Sequence, residues 1–356
     1  MVVGPWNGSS PGNLKTHGHL EPSPTDLLYA IRQGLASTIP LQTALFGAPR
    51  IKERVQHFLE GVRPDVILVD MIRLSATLPD DCTVRAILDM EDVLSRRYLN
   101  DPTVGLGPGA PWWLRGGASQ FSRQLHRIEG RRLICYESLA VSKFGNTSLV
   151  SREDASDLRR RAAEGIAKRI VWLPPKVRGN PQALSEGSRT RFILLGNYQV
   201  PHTKAAATRF AKAWLHLRDT TPSTPNLVLV GIGSEGVAAK FGVEGLGYVK
   251  DVSRVLTDKD ILIVPNDTHS GVNIKLIDGL GWGALIMATP SAVRTLGVTP
   301  DGCPFCAQSA VPEDVLTSAV ELAFSIQRQT SVREALLAVR QLLRRERDGA
   351  LDELRM

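Results

Sequence analysis

The second half of this chain alternates apolar runs of strand length with helical segments, and that alternation limits the fold more than any single motif. RFILLG, LVLVG, ILIVP and ALIMA read as buried strands. Between and after them lie a helix from about Lys204 to Leu217, two short helices flanking GYV, a crossover helix and two terminal helices. Strands separated this way specify a parallel sheet covered on both faces. The pattern is most compressed in THSGVNIKLIDGLGWGALIMAT, Thr268 to Thr289, where a polar loop, a helix and a strand follow one another. Ligands of such strand-helix-strand units sit at the carboxyl ends of the strands. The loop Asp267 to Gly271 leaves one of those ends and enters a helix carrying Lys275 and Asp278, whose exposed amides and dipole suit a phosphate.

The first half is less regular. Residues 1 to about 25, rich in Gly, Pro, Ser and Asn, read as loop. A helical pattern, DLLYAIRQGL, is followed by a proline-containing break, IPLQTALFGAP, and a second helix near Ile51 to Glu60. VILVD (Val66 to Asp70) and VRAILD (Val84 to Asp89) read as buried strands that end in carboxylates, delivered either to a cleft or to a helix cap just beyond. After the loop VGLGPGAPWW, a long helix from about Ala118 to Lys143 carries Arg123, Arg127 and Arg131 on one face, near Trp112, Trp113, Phe121 and Leu125. That face is either a solvated basic surface or a peripheral membrane contact. TSLVS and IVWLP read as strands with a helix between them, and the polar KVRGNPQALSEGSR (176 to 189) as a linker. The domains expected are therefore 1–175 and 190–356.

A chain of 356 residues can bury two cores, and no apolar run approaches the ~20 residues a membrane-spanning helix needs. The first residues lack the regions of a signal peptide, so a cytoplasmic location is expected. A net charge of +7 favours anionic partners, yet basic and aromatic residues are not interleaved as a nucleic-acid platform requires. Cys303 and Cys306 supply two ligands where zinc takes four, so neither a metal nor another cofactor is expected.

Gly196 ends the first strand of the second half, with His202, Thr203 and Lys204 opening the next helix. It is either a close approach to a phosphate or a tight turn. VGIGSEG has dinucleotide-loop spacing, but no acidic residue ends a following strand at the proper distance, which argues against a nicotinamide site.

In their order, LLGNYQVPHTKAA, GLGYVKDVSRVL, ILIVPNDTHSGVNIKLIDGLGWGALIMAT, RPDVILVDMIRLS, AILDMEDVLSRRY, YESLAVSKF and TSLVSREDASDL resemble the GT-B glycosyltransferases, in particular glycosyltransferase family 4 and its bacterial polysaccharide or lipid-linked sugar transferases. The resemblance covers roughly Pro40 to Gly297. It implies an α/β chain of two Rossmann-like domains that moves a hexose from a nucleotide diphosphate sugar to a glycan or lipid-linked acceptor without a metal. Carried over, Gly196 approaches the diphosphate or the reacting sugar, and the backbone near Tyr248 and Val249 holds the base. Ser270, Gly271, Val272 and Asn273 line the sugar-diphosphate site, Lys275 is the basic partner beside it, and Asp278 binds the ribose hydroxyls.

The departures are as specific as the matches. The family's paired glutamates fall on Ser270 and Asp278, and its usual arginine and lysine on Asn197 and His202. The family's opening strand, glycine-rich loop and second strand have no counterpart, so the amino-terminal domain is expected to be incomplete. The resemblance therefore names no catalytic residue. Asp70, Arg73, Asp89, Asp92 and Glu137 are acceptor-side candidates, each with a salt bridge or cap as the alternative role. A catalytically inactive relative, acting as a binding or partner subunit, is the alternative to a transferase.

Overall fold

The computed structural model describes residues 2–3, 19–100, 120–179, 184–265 and 270–355; of residues 2, 3, 19 and 120–123 it describes the backbone only. The VGLGPGAPWW loop, Trp112 and Trp113, part of the 176–189 segment and Asn266 to His269 lie outside the described residues. The chain forms two compact units. Unit 1 comprises Met1–Leu149, Asp154–Val171 and Glu353–Met356, and unit 2 comprises Val150–Glu153 and Trp172–Asp352.

Unit 1 opens with two two-residue strands, β1 (Val2–Val3) and β2 (His19–Leu20), paired in parallel within the stretch expected to be loop. Helix α1 (Pro24–Ala36) follows. It starts on a capping box: the Asp26 amide donates to Ser23 Oγ, while the Ser23 amide donates to the Asp26 carboxylate at 2.7 Å. The expected break after Pro40 contains a short helix, α2 (Leu41–Phe46). A proline just before the first helical residue starts a helix as readily as it ends one. Then come α3 (Pro49–Val62), strand β3 (Val66–Asp70), a 3-10 turn at Ile72–Thr77, β4 (Arg85–Asp89), α4 (Leu94–Asn100), α5 (Gln120–Lys143) and β5 (Asn146–Leu149). Helices α6 (Arg152–Arg161) and α7 (Glu164–Ala167) lead to β6 (Ile170–Trp172).

The sheet order is β3-β4-β5-β6, with the β3–β4 and β4–β5 pairs parallel. The strand read as buried from VILVD is only half so. Val66 is 47% and Leu68 66% exposed, because β3 is the sheet's edge and these alternate residues share its open face.

Unit 2 holds a five-stranded sheet in the order β11-β10-β7-β8-β9, all parallel. Its strands are β7 (Arg191–Leu195), β8 (Asn226–Val230), β9 (Glu244–Gly245), β10 (Ile261–Val264) and β11 (Leu285–Ala288). Between and after them lie α8 (Pro201–Thr220), α9 (Ser234–Ala238), α10 (Ile274–Trp282), α11 (Pro290–Thr295), α12 (Pro312–Phe324) and α13 (Ile326–Arg355). Every residue of β10 and β11 is buried, as expected of strands covered on both faces. A two-residue strand also forms at Glu244–Gly245, just upstream of GYV.

The strand order decides where a ligand can sit. The chain enters the sheet at β7, runs outward to β8 and β9, and returns on the other side of β7 as β10. The order therefore reverses between β7 and β10, and the carboxyl ends of strands at such a reversal are where open parallel sheets take ligands. The amino ends of these two central strands are pinned by an ion pair. Arg191 donates bonds of 2.9 and 2.7 Å to the fully buried Asp260, which also accepts from the Thr257 amide at 2.8 Å.

Candidate functional site

Three glycines build the carboxyl end of the unit 2 sheet. Gly231 follows β8 at φ +127°, and a Cβ there would lie 1.9 Å from the Gly196 carbonyl oxygen, so no other residue fits. The Gly196 amide donates to Val230 O at 3.0 Å, the Tyr198 amide to Ile232 O at 2.8 Å, and the Gly231 amide to Gly247 O at 2.7 Å. Gly247 in turn donates to Oγ of the fully buried Ser234 at 2.8 Å. The loops leaving β7, β8 and β9 are thus tied by main-chain bonds. VGIGSEG earns its glycines here, as backbone packing. Tyr198 is buried beneath the first loop, its hydroxyl donating to Leu194 O at 2.6 Å, and burial pushes its pKa well up.

On the β10 side, α10 begins at Asn273, whose side chain accepts from the Lys275 amide at 3.1 Å and donates to Pro265 O at 3.0 Å. Asn273 is therefore a helix cap that also closes its own loop onto the end of β10, a role the sequence pattern does not show. Gly271 precedes it at φ +73°, and Ser270 is buried. Lys275, half-buried, has no ion pair or side-chain hydrogen bond among the described residues, and burial lowers its pKa. Asp278, one turn on, is exposed and likewise unbonded; burial of its surroundings raises its pKa while the Arg178 guanidinium opposes that. Arg178 escaped the sequence reading because it lies in a polar segment without periodicity. Its carbonyl is in tight contact with α10: a Cβ at Gly281 would come within 2.2 Å of Arg178 O.

On the β7 side, α8 starts with Pro201 and has no side-chain cap, leaving its first amides open. His202 and Lys204 are exposed in that first turn. Gly196 packs against Thr203, where a Cβ would approach Cγ2 to 2.5 Å. Tyr248 is 72% exposed and Val249 half-buried, just beyond Gly247. The loop residue His269 lies outside the described residues.

The acceptor-side candidates of unit 1 separate into two groups. Asp70 and Asp89 end β3 and β4 in register with one another. Met71 and Glu91, just beyond them, hold positive φ values of 70° and 58°, which is stored backbone strain for side-chain-bearing residues. Asp89 accepts from Ser148 Oγ at 3.1 Å and from the Glu91 amide at 3.3 Å. Burial, then the Asp89 charge, raises the Asp70 pKa, with Arg73 opposing. Glu91 is raised by burial and by the charges of Asp70, Asp92 and Asp89. Asp92 is buried and paired with Arg97, and burial raises it.

Glu137 belongs elsewhere. Its fully buried carboxylate accepts from the Ser95 amide at 2.8 Å, Ser95 Oγ at 2.7 Å and Arg161 at 3.1 Å, so it fastens α4 and α6 to α5 as a structural anchor. On α5, Arg127 and Arg131 are exposed, as is Ile128 between them; among the described residues no helix is long and apolar enough to cross a membrane. Cys303 and Cys306 are free, and burial, with the neighbouring Cys303, pushes the Cys306 thiol up to about 12.

No protein-family model matches the chain, and no curated protein matches it. Solved structures do. A UDP-forming α,α-trehalose-phosphate synthase from Burkholderia vietnamiensis superimposes on 99% of this chain and 91% of its own, with a TM-score of 0.60 at 11% identity. HepE from Anabaena, in complex with UDP and glucose, covers 95% of this chain and 85% of its own, with a TM-score of 0.57 at 10% identity. A sucrose-phosphate synthase from Thermosynechococcus elongatus covers 86% and 77%, with a TM-score of 0.57 at 11% identity. Identities this low speak to architecture alone: the parallel α/β sheets of this chain are those of the GT-B Rossmann-like fold.

Proposed function

We propose that this chain is a glycosyltransferase that takes a nucleotide diphosphate sugar at the carboxyl end of the unit 2 sheet and passes its hexose to a hydroxyl of a glycan or lipid-linked acceptor. The observation that carries the reading is the reversal of strand order between β7 and β10, where glycine-tied loops meet a helix start bearing Lys275, half-buried and without an ion pair among the described residues. A buried ammonium without a counter-charge is costly, and a diphosphate supplies what it lacks. The HepE structure, whose ligands are UDP and glucose, supports the choice of donor class.

In the reaction the bond from the anomeric carbon to the diphosphate oxygen breaks, and one forms to the acceptor oxygen, which gives up its proton. Negative charge gathers on the departing diphosphate, where Lys275, the start of α10 and the open amides at the start of α8 stabilise it. These groups do the work that a metal does in other transferases. Gly196 lets the backbone approach the diphosphate, with His202 and Lys204 beside it, while Ser270 to Asn273 form the floor. Asp278, when ionised, accepts from the ribose hydroxyls, and the strand-end backbone at Tyr248 and Val249 meets the base.

The test is a titration with UDP-glucose and GDP-mannose followed by thermal stability, alongside an assay of sugar transfer to lipid-linked and glycan acceptors. A donor present at one hundred times its dissociation constant adds about 2.7 kcal/mol. Neither donor stabilising the protein, at millimolar concentration, overturns the reading. Stabilisation without transfer or hydrolysis identifies the chain as a binding relative instead.

A further inference from the structure

Unit 1 contains a cavity of about 560 Å³ at the end of its sheet opposite Asp70 and Asp89. Its floor is formed where β4 and β5 begin, at Val84 to Ala86 and Gly145, and not where they end. Ligands of open parallel sheets use the carboxyl ends, so the donor chemistry above gives this space no occupant.

The lining has two halves. Ile39, Leu78 and Phe144 make an apolar interior. Set among them, the Ser75 and Tyr136 hydroxyls bond to each other at 2.9 Å, which leaves one O–H of the pair over for a ligand atom. The mouth is cationic. Lys52 and Lys143 both reach the single carboxylate of Asp80, at 2.9 and 3.5 Å. Arg85 donates to the Leu354 and Arg355 carbonyls, at 2.9 and 3.1 Å, and makes no ion pair among the described residues. Among the described residues that line it, three cations face one carboxylate, a net positive charge. The volume falls within the range that encloses small ligands.

We propose that this cavity binds a small amphipathic anion, an apolar body carrying one carboxylate, with the body against Phe144 and Leu78 and the carboxylate between Lys52, Lys143 and Arg85. Asp80 now occupies that anionic place, and it is 74% exposed, free to swing aside.

The cavity also contains a reporter, the free thiol of Cys82. The experiment measures N-ethylmaleimide labelling of Cys82 and of the exposed Cys135 in the full-length protein, by peptide mass spectrometry, with and without decanoate, and titrates decanoate and decanol by calorimetry. Decanoate slows labelling of Cys82 about tenfold or more and leaves Cys135 unaffected. Lys143→Ala weakens decanoate roughly threefold to tenfold with decanol unchanged, and Asp80→Asn tightens decanoate by a similar factor, since it releases both lysines. Cys82 labelling indifferent to millimolar decanoate, or decanol binding as tightly as decanoate, overturns the proposal. The labelling arm uses the unaltered protein, so a variant that fails to fold does not blunt the test.

Discussion

The two sheets of this molecule spend their strand ends differently. In unit 2 the strands run into glycines, open amides and the start of α10, all of which favour negative charge. In unit 1 the paired strands β3 and β4 run into the carboxylates of Asp70 and Asp89, with Glu91 just beyond, and these repel it; Met71 and Glu91 also hold strained backbone. One parallel-sheet geometry thus yields two ends of opposite electrostatic character. The difference lies in a handful of residues just past each strand and not in the strands.

Substituting the buried charges tests whether each unit rests on its own ionic anchor, and should have the largest effect. Asp260→Ala leaves Arg191 half-buried without its carboxylate, and Glu137→Ala does the same to Arg161 and the Ser95 amide; each should cost about 3–5 kcal/mol in chemical denaturation. Hydrogen exchange should show the loss in unit 2 for the first and in unit 1 for the second.

The contrast between the sheets sharpens with one substitution made in each. Leu262→Ala in β10, where the side chain is fully buried, should cost about 2–5 kcal/mol. Leu68→Ala in β3, 66% exposed, should cost less than about 1 kcal/mol by the same denaturation. Equal costs would mean that the β3 edge is covered in solution.

Acid distinguishes the units next. In α1 of unit 1, burial works against the Asp26 charge, but Arg50 and the Ser23 amide and hydroxyl hold its pKa down to about 2 from 3.8. A depressed folded-state value means that the stabilisation is complete above pH ~4 and is lost as pH falls through about 2; it amounts to roughly 2 kcal/mol. Asp26→Asn should remove that portion of the acid sensitivity, read as urea midpoint against pH.

The smallest change tests the anionic end directly. Lys275→Ala should leave stability nearly unchanged and weaken UDP-sugar binding about tenfold to a hundredfold, roughly 1.4–2.7 kcal/mol. The same substitution at Lys204, exposed in the first turn of α8, should weaken it less.

Legibility in the sequence follows the same division. The unit 2 strands were plain because burial on both faces writes an unbroken apolar run, as in ILIV and LIMA. VILVD is equally apolar, and composition cannot tell an edge from a centre, so β3 was read as buried. Strand β9, two residues long and made of Glu and Gly, carries no pattern at all. At the site, Lys275 and Asp278 are three apart on one helix, so their shared face can be read from spacing. The duties of Asn273, Ser234 and Arg178 cannot, since a cap, a buried anchor beneath a glycine and a neighbour from a non-periodic segment are products of tertiary contact. Glu137 shows the converse: a carboxylate on a helical pattern gives no sign that three donors will enclose it.

The half-buried ammonium on α10 has a calorimetric consequence. Burial makes Lys275 a weaker base than a surface lysine, and an arriving phosphate makes it a stronger one. Ligand capture in alkaline buffer therefore draws a proton from solution, so the heat of binding should shift with the ionisation enthalpy of the buffer, and that dependence should vanish in Lys275→Ala.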